Sequence, residues 1–123
     1  MSVEKSEIKL YKESIPFEVR SKNAKQLMAN YPGKCPVVLV QDHSCAISMP
    51  NQKLLVKGTL SVFEFVRFLR NQVVIGTDDG FYIFVGELAP AQTTTIEELY
   101  MNYADEDGYL YVLYAVQEDK GSL

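Results

Sequence analysis

The apolar positions of the chain change period several times, and each change marks an element. Between Ser2 and Ser14, Val3, Ile8 and Leu10 sit among alternating charges without Gly or Pro, a short amphipathic helix that Pro16 ends. From Phe17 the positions Ala24, Leu27, Met28 and Tyr31 recur at helical spacing around Arg20, Lys22 and Lys25, until Pro32-Gly33 stops the pattern. A second helix is expected there. Cys35-Pro36-Val37-Val38-Leu39-Val40 is short, rich in β-branched residues and bounded by turn formers, so it reads as a buried strand. Ile47 to Met49 and then Lys53-Leu54-Leu55-Val56 read as the next strand, interrupted at Pro50-Asn51-Gln52.

Ser61-Val62-Phe63-Glu64 has the capping-box spacing, in which the Ser hydroxyl accepts from the amide three residues on and the Glu reaches back. Val62, Phe65, Val66 and Leu69 then give an i, i+3, i+4, i+7 stripe, which the turn signals Gly76 and Thr77-Asp78-Asp79-Gly80 close. Phe81 to Val85 is a strand by composition. Thr94-Thr95-Ile96-Glu97 repeats the capping pattern and opens a helix through Leu99, Tyr100 and Tyr103, stopping before Asp107-Gly108. Tyr109 to Val116, aromatic and β-branched, is the last strand. Two strands, a helix and two further strands in a short α+β chain is the element order of a ubiquitin-like β-grasp with a four-stranded mixed sheet, here carrying two additional N-terminal helices. The expected divisions are a helical extension over 1–32, the β-grasp over 33–116 and a C-terminal tail over 117–123.

With 123 residues, 47% of them apolar, one compact core is expected, and no apolar run approaches membrane-span length. The N-terminus lacks the apolar stretch of a signal peptide. Cys35 and Cys45 are too few for a disulfide framework, so they read as structural thiols in a reducing, intracellular setting. The net charge of −4 conceals an asymmetry: residues 1–34 carry seven basic and four acidic side chains, the remainder five and twelve. That basic start is too dilute, with its signs interspersed, to argue for nucleic acid.

The chemistry-bearing clusters are weak. Asp42-His43-Ser44-Cys45 gathers residue types used by thiol enzymes, but neighbours at a polar turn seldom aim at one another, and His43 reads as a solvated turn residue. Cys35, His43 and Cys45 lack the paired spacing of a zinc site. Thr77 to Gly80 lacks the alternating carboxylates of a calcium loop and reads as a turn. Asp105-Glu106-Asp107 has no neighbour in sequence that would desolvate one carboxyl, so it reads as a solvated helix end. The tail Gln117 to Leu123 is polar, with Gly121 two residues from the end. Glycine alone lets an extended tail thread a narrow tunnel and leaves its carbonyl open to attack.

These residues together resemble the autophagy ubiquitin-like modifiers of the GABARAP type. The likeness is carried by Tyr11-Lys12-Glu13, Pro16-Phe17-Glu18 with Arg20, Tyr31-Pro32 followed by Pro36-Val37, Lys53-Leu54-Leu55-Val56, Phe65 with Leu69-Arg70, Phe84-Val85, Glu98-Leu99-Tyr100 and Asp107-Gly108-Tyr109-Leu110-Tyr111. It runs along nearly the whole chain. The resemblance implies no enzymatic activity and no cofactor or metal. It implies trimming after Gly121 by an autophagy cysteine protease, transfer of that glycine through activating and conjugating enzymes to phosphatidylethanolamine, and a cytoplasmic protein that lipidation brings to the autophagosome membrane.

The resemblance also implies that cargo receptors add an extended aromatic-x-x-aliphatic peptide to the edge of the second strand. An aromatic pocket would be lined by Leu27, Pro36, Val38, Lys53, Leu55 and Tyr109, with Lys53 meeting acidic flanks. An aliphatic pocket would use Leu54, Val56, Leu60, Phe65 and Phe68, with Arg70 close by. Three positions depart from the family: Lys57 stands where a Pro usually follows the Leu-Val pair, Lys53 is alone where the family has a basic run, and Lys120 stands where an aromatic usually precedes the glycine. The alternative reading is a non-conjugated β-grasp interaction module with the same groove, and a small thiol enzyme using Cys45 and His43 is a third.

Overall fold

The computed structural model describes residues 4–118. The elements run α1 Ser6–Ser14, α2 Phe17–Asn30, β1 Lys34–Gln41, β2 Lys53–Lys57, α3 Val62–Arg70, β3 Gly80–Phe84, α4 Ile96–Tyr103 and β4 Leu110–Gln117. The four strands form one sheet in the order β2-β1-β4-β3, with β1 and β4 parallel and both outer pairs antiparallel. This is the expected ubiquitin-like architecture with helices added in front.

Both sheet faces are covered, which explains the unbroken apolar runs of the central strands. One face packs Cys35, Val37, Leu39, Leu110 and Val112 against Val62, Phe65 and Leu69 of α3 and Ile96 and Leu99 of α4. The other packs Val38, Val40, Tyr109, Tyr111 and Leu113 against Ile8 of α1 and Ala24 of α2. At the outer edge, β3 instead alternates, burying Phe81 and Ile83 and exposing Tyr82.

Local chemistry sets the joints. Ile15 is extended between the first two helices, as a residue before proline must be, and Pro16 starts α2. Ser61 and Glu64 make the full capping box at α3. At α4 the cap sits one residue later than the sequence pattern placed it: Thr95, not Thr94, accepts from the Glu98 amide, and no return bond closes a box. Tertiary contacts decide this, because Val62 N donates to Thr94 O and Ile96 N to Leu60 O.

Ile47 to Met49 is not a strand. That segment is pinned by single bonds, with Met49 N donating to the Tyr114 hydroxyl, and the β1–β2 ladder begins only at Lys53. Gly108 turns the chain into β4 at φ +92°, and a Cβ there would lie 2.9 Å from that of Ala24. Only glycine meets both demands.

Candidate peptide-binding edge

Among the described residues, β2 has a neighbour on one side only. Its register sets Lys57 against Lys34, Val56 against Cys35, Leu55 against Pro36, Leu54 against Val37 and Lys53 against Val38. Gly58 N donates to Gly33 O and Leu39 N to Gln52 O just beyond the two ends. Antiparallel pairs alternate between bonded and non-bonded, so the bonded pairs are Cys35 with Val56 and Val37 with Leu54. Pro36 thereby lies in a non-bonded pair, where its missing N–H leaves nothing unmade. Lys53, Leu55 and Lys57 point their backbone groups away from the sheet.

The same phase divides the side chains. Lys53 and Leu55 share the α1/α2 face with Pro36 and Val38, whereas Leu54 and Val56 share the α3/α4 face with Cys35 and Val37. Tyr109 and half-buried Leu27 belong to the first cluster; Leu54, Val56, Leu60 and Phe65 belong to the second. Eleven of the twelve side chains expected to bind peptide thus fall into two groups that meet along one free edge, Phe68 joining the second beside Leu54. Val38, Phe65 and Tyr109 are core residues, at 0%, 1% and 2% exposure, and Pro36 and Val56 are buried with them. Leu27, Leu54, Leu55 and Leu60 are half-buried, and Lys53 and Phe68 are exposed, so these form the accessible rim.

Beside Leu54 and Phe68 a notch of about 20 Å³ is completed by Met49, Pro50, Asn51, Leu69 and Gln72. Met49 and Gln72 carried no signal in sequence, since their place depends on how the 42–52 loop folds over α3. Arg70 is placed differently from its neighbours: its guanidinium donates to Asp79 O at 2.5 Å and to Gly76 O at 3.3 Å, holding the 76–79 turn. Gly121 lies outside the described residues. A wider groove of about 970 Å³ at the other end of the sheet, lined by Tyr82, Phe84, Leu113 and Glu118 among others, contains none of the expected site residues.

The acidic cluster corrects the sequence reading. Asp107 is 1% exposed, not a solvated helix end. Its carboxylate accepts from Arg20 Nη1 at 2.5 Å, the Tyr111 hydroxyl at 2.5 Å and Tyr109 N at 2.8 Å. Tyr109 and Tyr111 follow two and four residues on, but the charged partner, Arg20 of α2, is 87 residues away in sequence. Burial and the bond to Asp107 push the Tyr111 phenol well up. Asp105 is held below the usual carboxylate range: burial opposes this, but hydrogen bonds from Lys12 and the Asp107 amide prevail.

His43 faces solvent in its turn, as expected, and is also bonded to α1. Glu7 Oε2 lies 2.9 Å from both His43 N and His43 Nδ1. These two contacts, the backbone one foremost, hold the Glu7 carboxyl down at about 2, and Glu7 raises the imidazole. Glu7, Asp42 and His43 bring ligating atoms within 4.8 Å of one another, the one such group among the described residues. Cys35 and Cys45 are buried free thiols, Cys45 Sγ pointing at Ile47 O.

Residues 19–121 match the family described as "Autophagy protein Atg8 ubiquitin like". Autophagy-related protein 8 of Mycosarcoma maydis is 31% identical over 114 residues, covering 92% of this chain and 97% of that one. The crystal structure of Trypanosoma brucei ATG8 superposes with a TM-score of 0.82 at 27% identity, covering 90% of this chain and 97% of that one. Plasmodium falciparum Atg8 in complex with a P. falciparum Atg3 peptide gives 0.76 at 28% identity over 85% and 94%.

Proposed function

Because the chain belongs to the Atg8 family of autophagy ubiquitin-like proteins, modifiers and not enzymes, we propose that it is trimmed after Gly121, joined through that glycine to phosphatidylethanolamine, and used on autophagosomal membranes to hold cargo receptors. The observation that carries the receptor-binding half is the free β2 edge with an apolar group on each face. In an added strand, side chains alternate between faces, so two anchors three residues apart point to opposite ones. An aromatic-x-x-aliphatic peptide therefore sends its aromatic toward Leu27, Leu55 and Tyr109 and its aliphatic residue toward Leu54, Leu60 and Phe68. That the Plasmodium relative is solved with a bound peptide supports peptide capture by this fold.

The membrane half follows from the family and from Gly121, the last residue of the family match. No helix of the described residues is long and apolar enough to cross a membrane. Two acyl chains supplied by the lipid give firm anchoring where one does not. The tail over 117–123 would present Gly121 first to the cysteine protease and then to the activating and conjugating enzymes, moving the protein from cytoplasm to autophagosome.

Intact-mass spectrometry of the protein from fed and starved cells tests this. Loss of Ser122-Leu123 with a phosphatidylethanolamine adduct, both absent in Gly121→Ala, is the expected result. An unmodified full-length mass under starvation overturns conjugation and leaves the groove-bearing interaction module, the reading that Lys120 before the glycine favours.

A further inference from the structure

The register places Lys34 directly opposite Lys57 in a non-bonded pair, the pairing in which facing side chains come closest. Like charges so placed repel. Lys53, four residues along the same strand face and about 13 Å away by strand rise, adds a third ammonium. All three are exposed, and among the described residues none has an ion-pair partner. Glu97 packs on Gly58, its amide donating to Gly58 O at 2.9 Å, yet makes no ion pair with Lys57. A chain of net charge −4 has carboxylates to spare, so the fold leaves this corner of the edge cationic.

Lys57 has a second property. Its carbonyl accepts from Leu60 N at 3.0 Å, closing the turn into α3, while its N–H faces outward beyond Leu55. The edge therefore offers donors at Lys53, Leu55 and Lys57 but acceptors only at Lys53 and Leu55. An added strand reaching that end meets a last donor with a cation pair beside it.

We propose that Lys57 is a specificity-determining residue of the β2 edge, selecting peptide strands that carry a carboxylate side chain two residues from the aromatic anchor, on the side running toward α3. This rests on the peptide-groove reading. Two residues is the spacing because side chains abreast of Leu55 and Lys57 lie on the same face, separated by one that points away. The paired lysines relieve their repulsion on the incoming carboxylate, and the outward N–H extends the ladder by one bond.

The test measures binding of the full chain to a host peptide with an aromatic-x-x-aliphatic core and alanine elsewhere, and to variants with Glu two residues before or two after the aromatic. Glu at one of these two positions, set by the direction the strand runs, is expected to tighten binding about three- to fivefold, an exposed ion pair strengthened by partial burial. In Lys57→Gln that preference disappears, and in Lys57→Glu it reverses in favour of a Lys-bearing peptide. Lys57→Pro, which removes the donor as well, loses a further two- to tenfold for every peptide. A Glu preference undiminished in Lys57→Gln overturns the inference while leaving the groove in place. Failure of every peptide to bind, or binding unaffected by Leu54→Asp, refutes the groove itself.

Discussion

The two faces of the sheet are closed by different forces. Against α3 and α4 the contact is apolar throughout, with Phe65, Leu69 and Ile96 at 1% exposure or less. Against α1 and α2 the apolar cluster is smaller, and polar bonds tie the helices down: Arg20 to Asp107, Lys12 to Asp105, and Glu7 to His43. Hydrophobic burial is indifferent to pH and direction, whereas these bonds depend on partner, geometry and protonation. The β-grasp core and the N-terminal layer should accordingly respond to different perturbations.

Asp107→Asn attacks the polar layer at its centre. It leaves the Arg20 guanidinium buried and uncompensated, with an expected loss of about 3–5 kcal/mol in urea unfolding. If the layer is held mainly by this pair, the double variant Arg20→Met, Asp107→Leu regains most of that loss; a loss in Asp107→Asn below about 1 kcal/mol would show that packing alone holds the helices.

Gly108→Ala comes next, at about 1–3 kcal/mol, from a left-handed φ and a Cβ pressed on Ala24. Its signature is regional: α2 amides lose hydrogen-exchange protection before those of α3, because the intruding methyl group meets α2. Equal loss in both helices would merge the two layers into one unit.

The smallest effect is the latch between α1 and the 42–45 turn. The raised His43 contributes fully below the ordinary imidazole value of 6.5, and its contribution fades as pH rises through the higher folded value. The lowered Glu7 contributes above its ordinary 4.5 and fades as pH falls toward about 2. Asp42 adds to the attraction for the imidazolium and Lys5 opposes it. Protection of α1 amides, corrected for intrinsic exchange, is therefore expected to be higher at pH 5.5 than at pH 8, with His43→Gln removing the difference and α3 unaffected by either change.

Much of this was legible along the chain because its cause is local. The Ser61–Glu64 box, the Pro16 break and the Pro32-Gly33 stop each act within a few residues, and the central strands announce two-sided burial by their unbroken apolar runs. Thr94 against Thr95 was not decidable locally, since both precede a helix with a Glu three residues on, and bonds from Val62 and Ile96 chose between them. The site divides in the same way. Lys53-Leu54-Leu55-Val56 could be read as a strand, but which of its residues face outward depends on the register against Pro36. Arg70 was expected close to the peptide, and its bonds to the 76–79 turn are a feature that only the folded chain shows.

The sequence by itself determined the elements and the two N-terminal helices, because turn chemistry and apolar periodicity act over short spans, while the candidate edge and the role of Gly121 came from the family resemblance. Only the tertiary structure decided that Asp107 is a buried anchor, that His43 holds α1 and that Lys57 faces Lys34. Each of these depends on pairs 23 to 87 residues apart, and no local preference encodes which distant side chain will share a desolvated space.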